Sequence, residues 1–173
     1  ILYTQRGGMI MVVIYPGSFD PVTYGHLDII DRCSSKFDKV IVAVLNNTSK
    51  NVLFTVEERV KLLEKTLQKY DKYNNVEIDT FSGLLIDYAK KKEVTTVVRG
   101  LRAVSDFEYE MQMALANRKL YPEFETIFMV SSGEYAYLSS SLVKEIAMFD
   151  GNVSCLVSDV VNKALMEKLK GGK

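Results

Sequence analysis

The single histidine of this 173-residue chain, His26, stands in a stretch rich in residue types that bind phosphate. The stretch YPGSFDPVTYGH follows a short apolar run, and a helix is predicted to begin near Thr23. His26 would then lie in the first helical turn, where free N–H groups and the helix dipole favour an anion. Gly17 would let a ligand approach the backbone closely, and Ser18 offers a hydroxyl. A lone histidine more often caps or packs a helix, so phosphate binding here needs support from other segments.

The strongest such support comes from Arg99 and Arg102, which flank Gly100 and Leu101 directly after a predicted strand. A guanidinium pairs with phosphate in a planar fork, so two arginines in a loop at this place favour polyphosphate binding. The alternative is a salt bridge to one of the carboxylates that follow in the chain, Asp106, Glu108 and Glu110. We rank phosphate binding first, because an ion pair explains neither the glycine nor the loop position.

Two further segments add hydroxyl groups and a cation. Lys50 lies in the polar loop 46–53 after the second predicted strand, although taken alone it is more simply a solvated surface lysine. Ser139, Ser140 and Ser141 precede a predicted helix. Helix capping needs only one of these hydroxyls, so the surplus hydroxyls and backbone N–H groups would suit a second anion.

These segments contain many hydrogen-bond donors and no convincing nucleophile or general base. Asp20 is present, but it could equally cap its loop as an Asx turn. There is no Ser–His–Asp set, no GxxxxGK[ST] loop and no GxGxxG fingerprint. Donors without a base suit phosphoryl or nucleotidyl transfer, in which positioning and charge stabilisation do most of the work.

The elements that must position these residues alternate between strand and helix. Apolar, β-branched runs predict five strands, at 11–15, 39–45, 76–81, 95–98 and 126–130. Two capping boxes, Thr55 with Glu58 and Ser105 with Glu108, predict helix starts. The strands are predicted to be apolar on both faces, as in a parallel sheet covered by helices. The fold class is therefore α/β: a single doubly wound, Rossmann-like domain with a five-stranded parallel sheet, whose ligands bind beyond the carboxyl ends of the strands.

Composition excludes several classes of protein. The chain is 47% hydrophobic and 25% charged, and its 22 basic residues balance its 22 acidic ones. This balance argues against a nucleic-acid coat or an anionic-membrane binder. Cys33 and Cys155 are too few and too scattered for a disulfide framework, so we expect them to pack inside a reducing, cytoplasmic protein. Residues 1–8 match no element, and we interpret them as added or upstream sequence before a domain at 9–173.

Four of these segments together resemble a known family. TYGH, at 23–26, resembles the (T/H)xGH signature of the nucleotidyltransferase superfamily, and LSSSLVKE, at 138–145, resembles its second, ISSTxxR-like signature. RGLRAVSDFEYE, at 99–110, together with YPGSFDPVTYGHLDII, closely resembles the bacterial phosphopantetheine adenylyltransferases. The similarity runs from about Met11 to Leu169. It implies that ATP and 4′-phosphopantetheine, with Mg²⁺, give dephospho-coenzyme A and pyrophosphate in the penultimate step of coenzyme A biosynthesis.

The resemblance also implies residue roles. His26, Lys50, Arg99 and Ser18 are the expected catalytic residues, with Lys50 and Arg99 on the side of the pantetheine phosphate. The expected ATP-binding residues are Ser18, Phe19, His26, Gly100, Leu101, Arg102, Glu110, Tyr135, Ser139, Ser140 and Ser141. Leu84 and Leu85 fall where the family lines the pantetheine arm. No protein ligand for the metal is expected, and the family implies a homohexamer with small-molecule partners only, without nucleic acid or membrane.

Two other functions remain open at this level. A sister nucleotidyltransferase, using CTP or another phosphate acceptor, would share TYGH and the serine run, although RGLRAVSDFEYE favours the adenylyltransferase. A nucleotide-binding module without catalytic activity would be expected to lack His26, Lys50 or Arg99, and all three are present.

Overall fold

The computed structural model describes residues 10–46, 52–102 and 104–170, without the side chains of 104–106. Lys50 and residues 1–8, for which the sequence carried expectations, lie outside these ranges. The strands are β1 (Val12–Gly17), β2 (Lys39–Leu45), β3 (Val76–Phe81), β4 (Thr96–Leu101) and β5 (Glu125–Val130). The helices are α1 (Tyr24–Ser34), α2 (Val56–Leu67), α3 (Leu85–Lys91), α4 (Val104–Leu120), α5 (Ser140–Met148) and α6 (Asp159–Lys170).

The strands form one parallel sheet in the order β3-β2-β1-β4-β5. The chain therefore moves outward from β1 through β2 to β3, and then returns to place β4 on the other side of β1. This reversal between β1 and β4 is the switch point at which doubly wound sheets bind ligands. The predicted α/β, Rossmann-like class with five parallel strands is confirmed.

Helices cover both faces of the sheet. On one face, Val13, Val40 and Val42 pack in a core with apolar side chains of α1, α2, α5 and α6. On the other face, Ile14 and Ile41 pack with side chains of α3. Burial on both sides explains why the central strands are apolar runs instead of alternating patterns.

β1 and β4 are longer than the sequence indicated. β1 continues through Pro16 and Gly17, which pair in register with Ala43 and Val44 of β2. β4 continues through Arg99 and Gly100 to Leu101, paired with the end of β5. The prediction that Arg99, Gly100 and Leu101 form a loop is therefore wrong, because neighbouring strands supply ladder partners that local composition does not reveal. By contrast, within the described residues β1 pairs in register with β4 at one position, Ile14 with Val97.

Helix starts follow local sequence where a capping box is complete. The Thr55 hydroxyl accepts a hydrogen bond from the N–H of Glu58, and the Glu58 carboxylate accepts one from the N–H of Thr55, which confirms that box. The predicted cap at Ser105 is wrong, because α4 already begins at Val104. Of the two thiols, Cys33 is buried as predicted, whereas Cys155 is exposed. None of the described helices is long and apolar enough to cross a membrane.

Candidate active site

A cavity of about 470 Å³ opens at the carboxyl ends of β1 and β4, where the strand order reverses. One side, here called the β1–α1 wall, is formed by the segment from Gly17 to His26. The opposite side, the β4–α4 wall, is formed by Arg99, Gly100, Arg102 and Glu110. The start of α5 closes the cavity with residues Ser139, Ser140, Ser141 and Lys144. The switch point thus brings together three of the four segments that the sequence singled out; the fourth, with Lys50, lies outside the described residues.

His26 is part of a helix cap and of the cavity lining at once. The N–H of Thr23 donates to His26 Nδ1 at 3.1 Å, and the N–H of His26 donates to the Thr23 hydroxyl at 3.4 Å. Because Nδ1 accepts a hydrogen bond, the neutral ring carries its proton on Nε2. Burial, with a smaller contribution from the Arg102 charge, lowers the pKa of His26 to about 4. At neutral pH His26 is therefore an uncharged donor whose orientation is set by the helix start.

The turn between β1 and α1 contains an unusual backbone conformation. Phe19 has φ of 48°, in the left-handed region that non-glycine residues rarely adopt. Its ring is 1% exposed and packs edge-on against Tyr15 and His26, with centroid distances of 5.6 and 5.0 Å. A Cβ on Gly17 would lie 2.9 Å from the Phe19 ring, so any other residue at position 17 would displace this buried ring. The Phe19 side chain therefore acts as an anchor that places the backbone of the turn along the cavity.

Asp20, for which the sequence allowed a local Asx turn, instead makes long-range contacts. Its carboxylate accepts hydrogen bonds from the N–H groups of Leu53 at 3.1 Å and Phe54 at 2.9 Å, and pairs with Lys144 Nζ at 2.6 Å. Burial would raise the pKa of Asp20, but Lys144 and the two N–H groups hold it below its usual range. Asp20 is therefore an ionised structural link between the turn, the chain before α2, and α5.

Lys144 and Arg59 are charged residues at the site that the sequence analysis did not single out. Lys144 lies in LSSSLVKE, one turn into α5, but its contact with Asp20 spans 124 residues and has no local signal. Arg59 is 2% exposed and donates to the carbonyls of Ser18 and Leu45. The only sequence signal for Arg59 was its place in the first turns of an amphipathic helix, on the apolar side.

On the β4–α4 wall, Arg99 is held by an ion pair. Its Nε and Nη2 donate to the two carboxylate oxygens of Glu110, and its Nη1 donates to the carbonyl of Pro16 at 3.0 Å. The side chains of Arg99 and Glu110 are 30% and 13% exposed. Burial would lower the pKa of Arg99, but Glu110 raises it. The salt bridge that the sequence ranked second is thus formed, by a residue that also lines the cavity.

Gly100 has a packing reason as well. A Cβ at Gly100 would lie 3.3 Å from Cγ1 of Ile29 in α1, so the glycine allows α1 to approach the sheet closely. Arg102, at the end of the strand, donates to the carbonyl of Leu138 at 3.3 Å. Gly100 and Arg102 both line the cavity. Arg99 and Arg102 therefore face the same space from one wall.

The three serines at the start of α5 have different roles. Ser139 is the N-cap and its hydroxyl accepts from the N–H of Leu142. The Ser140 hydroxyl donates to the carbonyl of Pro21 at 2.8 Å, which ties α5 to the β1–α1 wall. Ser141 is exposed and lines the cavity with the other two. The helix start thus offers a hydroxyl and N–H groups to an anion, as expected from surplus serines.

A second, more apolar cavity of about 280 Å³ continues from the first. The two share Pro16, Gly17, Ser18, Arg99, Tyr109 and Glu110 in their linings. Leu84, Leu85 and Met113 are among the apolar residues that line only the second cavity. The cleft therefore has a polar compartment and an apolar compartment, joined at Ser18 and Arg99.

Two of the expected ATP-binding residues do not line either compartment. Leu101 is 9% exposed within β4, and it is absent from both linings. Tyr135 packs against Tyr24, with a centroid distance of 6.3 Å, and its Cβ would lie 3.6 Å from a Cβ on Gly25. The structure thus brings together the expected residues of all the described segments except these two.

Sequence comparisons identify relatives along nearly the whole chain. The model of the cytidylyltransferase-like family matches residues 14–146. The phosphopantetheine adenylyltransferase of Alkaliphilus metalliredigens is 57% identical over 157 residues, which cover 91% of this chain and 98% of the relative. The phosphopantetheine adenylyltransferase of Caldanaerobacter subterraneus is 58% identical over 159 residues, covering 92% and 98%.

Solved structures share the fold at much lower identity. The nicotinic acid mononucleotide adenylyltransferase of Plasmodium falciparum, solved in complex with NaAD, superposes with a TM-score of 0.70 at 14% identity, over 95% of this chain and 96% of that one. A putative nicotinate-nucleotide adenylyltransferase from Vibrio parahaemolyticus gives 0.66 at 16% identity, over 91% and 99%. These two show the fold, and the sequence relatives show the family. The chain belongs to the phosphopantetheine adenylyltransferases, within the cytidylyltransferase-like family.

Proposed function

We propose that this protein transfers the adenylyl group of ATP to 4′-phosphopantetheine, giving dephospho-coenzyme A and pyrophosphate. The observation that carries the proposal is the 57–58% identity, over more than nine-tenths of the chain, to relatives named for this activity. The two-compartment cleft agrees with it, because a polar cavity suits phosphates and an adjoining apolar cavity suits an alkyl amide arm.

The reaction is a displacement at the α-phosphorus of ATP. A phosphate oxygen of 4′-phosphopantetheine forms the new bond to this phosphorus, and the bond from the phosphorus to the bridging oxygen of the β-phosphate breaks. Pyrophosphate leaves with the electron pair. The attacking phosphate is already an anion at neutral pH, so the chemistry needs no general base. This requirement agrees with a cavity whose two carboxylates, Asp20 and Glu110, are both engaged by cations.

On the β1–α1 wall, we assign His26 to the α-phosphate. Its proton on Nε2 can be donated to a non-bridging oxygen, where negative charge develops as the new bond forms. A neutral imidazole does this without a proton transfer, which fits its lowered pKa. The Ser18 hydroxyl and the backbone of Ser18 and Phe19 would hold phosphate oxygens beside it, at the junction of the two compartments.

On the opposite side, we assign Arg99 to the phosphate of 4′-phosphopantetheine and Arg102 to the ATP phosphates. Arg99 lies at the junction of the compartments, where that phosphate would arrive when the apolar arm occupies the cavity of Leu84 and Leu85. Ser139, Ser140 and Ser141 would bind the triphosphate tail. Lys50 belongs to this proposal by family resemblance, as the cation that neutralises the incoming phosphate.

Mg²⁺ would enter with ATP as part of the substrate. No group of three or more His, Cys, Asp or Glu side chains suited to a metal ion occurs among the described residues. Phosphate oxygens and water commonly hold Mg²⁺ in such sites, so the residue set fits a metal carried by the nucleotide. Its chemistry would be to neutralise charge on the leaving pyrophosphate.

The cellular setting and assembly are part of the same proposal. We place the enzyme in the cytoplasm, where a coenzyme A precursor and ATP are both at hand. We also propose a homohexamer. Support comes from α4, on which Phe107, Met111 and Leu115 are 39%, 42% and 63% exposed in the single chain. Apolar side chains on the outer side of a helix are typical of a surface that another subunit covers.

The test is pyrophosphate release in Mg²⁺ from ATP, with and without 4′-phosphopantetheine. CTP in place of ATP, and nicotinamide mononucleotide as acceptor, are the controls. Release that requires both ATP and 4′-phosphopantetheine is the expected result. Release with CTP or with the other acceptor would support a sister nucleotidyltransferase. ATP binding without any release would support a nucleotide-binding module.

A further inference from the structure

Arg59 is the largest of the fully buried side chains, and its guanidinium contacts carbonyls instead of a carboxylate. Its Nη1 donates to the carbonyl of Ser18 at 2.8 Å and to that of Leu45 at 3.0 Å, while its Nε donates to the carbonyl of Thr55 at 3.3 Å. Burial lowers the pKa of Arg59, and Asp20 partly opposes this effect. A buried cation is costly, so a guanidinium at this place, instead of an apolar side chain, calls for a reason beyond packing.

The acceptors of Arg59 define what it holds. Ser18 directly follows β1, Leu45 is the last residue of β2, and Thr55 is the N-cap of α2. One side chain on the second turn of α2 thus ties together the carboxyl ends of two adjacent strands and the start of a helix. Only an arginine offers several N–H groups in a rigid plane that can reach carbonyls on different segments.

The contact with Ser18 acts on a strained peptide. The Ser18 carbonyl belongs to the peptide unit that leads into Phe19, whose φ of 48° costs on the order of 1 kcal/mol or more for a residue other than glycine. In a planar trans peptide the C=O and N–H groups point in opposite directions. With the Ser18 carbonyl directed at Arg59, the N–H of Phe19 is directed away from it. Ser18 and Phe19 both line the polar compartment.

We propose that Arg59 is a positioning residue for adenylyl transfer: it fixes the orientation of the Ser18–Phe19 peptide, and so places the Ser18 hydroxyl at the reacting phosphates. The role rests on the proposed function, since it acts through residues of that site. Arg59 itself touches no substrate, because its side chain is 2% exposed beneath the turn. Asp20 complements it from the other end of the turn, through Leu53, Phe54 and Lys144.

A positioning role and a merely structural role predict different kinetics. Without Arg59, the Ser18–Phe19 peptide can relax toward an ordinary backbone conformation, and a small displacement at the reacting phosphates lowers kcat. The remaining contacts to ATP, through Arg102 and the start of α5, stay in place. We therefore expect the loss to appear mainly in kcat, with the KM for ATP changed by about threefold or less.

The experiment compares Arg59→Lys, Arg59→Met and Leu63→Ala with the wild-type protein, by steady-state pyrophosphate release well below each variant's melting temperature. Arg59→Lys keeps the charge but loses the planar fork, and we expect kcat to fall about tenfold. Arg59→Met keeps only the length, and we expect a fall of about a hundredfold. Leu63 lies on the same helix with 0% exposure, so Leu63→Ala lowers stability but removes none of the hydrogen bonds of Arg59.

The outcomes separate the two proposals. A fall in kcat for both Arg59 variants, with normal kcat in Leu63→Ala, supports the positioning role. If the wild-type protein is active and the kcat of Arg59→Lys is unchanged, the positioning role is overturned. The result for Arg59→Lys alone settles the question if Arg59→Met does not fold. If the wild-type protein shows no pyrophosphate release that depends on 4′-phosphopantetheine, the proposed function itself is overturned. The positioning role then falls with it.

Discussion

The two walls of the cleft differ in what their polar groups do before a ligand binds. On the β1–α1 wall, His26 is a neutral donor set by its own helix cap, and the charge of Asp20 is paired with Lys144. On the β4–α4 wall, the fork of Arg99 is already filled by the carboxylate of Glu110. In the proposed reaction, the first wall would meet a phosphate with its donors already in place. Arg99 on the second wall would have to exchange a carboxylate for a phosphate before it could bind one.

This difference separates two tasks of a transferase. Stabilising charge at the reacting phosphorus requires donors that do not reorganise during the reaction. Holding an incoming substrate can tolerate an exchange of partners, because the exchange lowers affinity without affecting the chemical step. We therefore expect substitutions on the β1–α1 wall to lower kcat, and substitutions on the β4–α4 wall to change KM.

The largest effect should come from His26→Asn. Asparagine can still accept a hydrogen bond at the helix start, but it lacks the distal N–H that we assign to the α-phosphate. We expect kcat to fall by about 10²–10³, with the far-ultraviolet circular dichroism unchanged. Steady-state pyrophosphate release measures the effect, and a kcat within a factor of about three of wild type would remove His26 from the chemical step.

The same histidine should make stability depend on pH. Its pKa is about 4 in the folded protein, below the ordinary value of 6.5. As the pH falls below 6.5, His26 binds a proton in the unfolded chain but stays neutral in the folded chain. The stability that the folded protein has above pH 6.5 is therefore lost progressively toward pH 4. The upper limit of this loss of stability is about 3 kcal/mol. The expected loss is smaller, because the side chain is only partly buried.

Urea unfolding at pH 7 and pH 5 would measure this loss. Carboxylates contribute equally in wild type and in His26→Asn, so the difference between their pH slopes isolates the histidine. Identical slopes would show that the pKa of His26 is the same in the folded and unfolded chains, and that burial does not lower it.

A smaller effect is expected on the other wall from Arg99→Lys. Lysine keeps the charge but cannot form the two-pronged contact with a phosphate. We expect the KM for 4′-phosphopantetheine to rise about tenfold, while kcat at saturation changes little. A fall in kcat as large as that of His26→Asn would abolish the distinction between the two walls.

The smallest effect should come from Glu110→Gln, which removes the charge that competes for Arg99. We expect the KM for 4′-phosphopantetheine to fall by about threefold, with stability reduced by about 1–2 kcal/mol because a half-buried arginine loses its partner. Substrate titration and thermal unfolding check the two parts. A higher KM would mean that Glu110 holds Arg99 in its working position instead of occupying it.

The two walls also differ in how much of their structure could be predicted from the sequence. The start of α1 could be predicted because its cap is local: Thr23 and His26 are three residues apart, and both partners are visible in TYGH. The state of Arg99 could not, because β4 extends through it only when β5 pairs alongside. Its contact with Glu110 further depends on how α4 lies over the sheet.

The charged groups beneath the cavity were the least predictable. Asp20 and Lys144 are separated by 124 residues, and Arg59 and Ser18 by 41. Nothing in the local pattern of α5 distinguishes a lysine that turns inward from one that is solvated, and in α2 the only indication is that Arg59 lies on the apolar side of the helix. The five parallel strands, by contrast, followed from alternating apolar runs, since burial on both faces leaves a strong compositional signal. Their order in the sheet was not predicted.

The single register position between β1 and β4 has a consequence for how the chain holds together. The cleft lies across the boundary between the strands β3-β2-β1 and the strands β4-β5. The chain completes β2 and β3 before it forms β4, so the two sides of the cleft come from segments distant in sequence. A substrate that touches both walls adds its own bonds where the ladder is shortest. Bound substrate should therefore slow hydrogen exchange along the facing edges of β1 and β4 more than along the outer strands. The substrate would in this way stabilise the pairing of the two strands between which it binds.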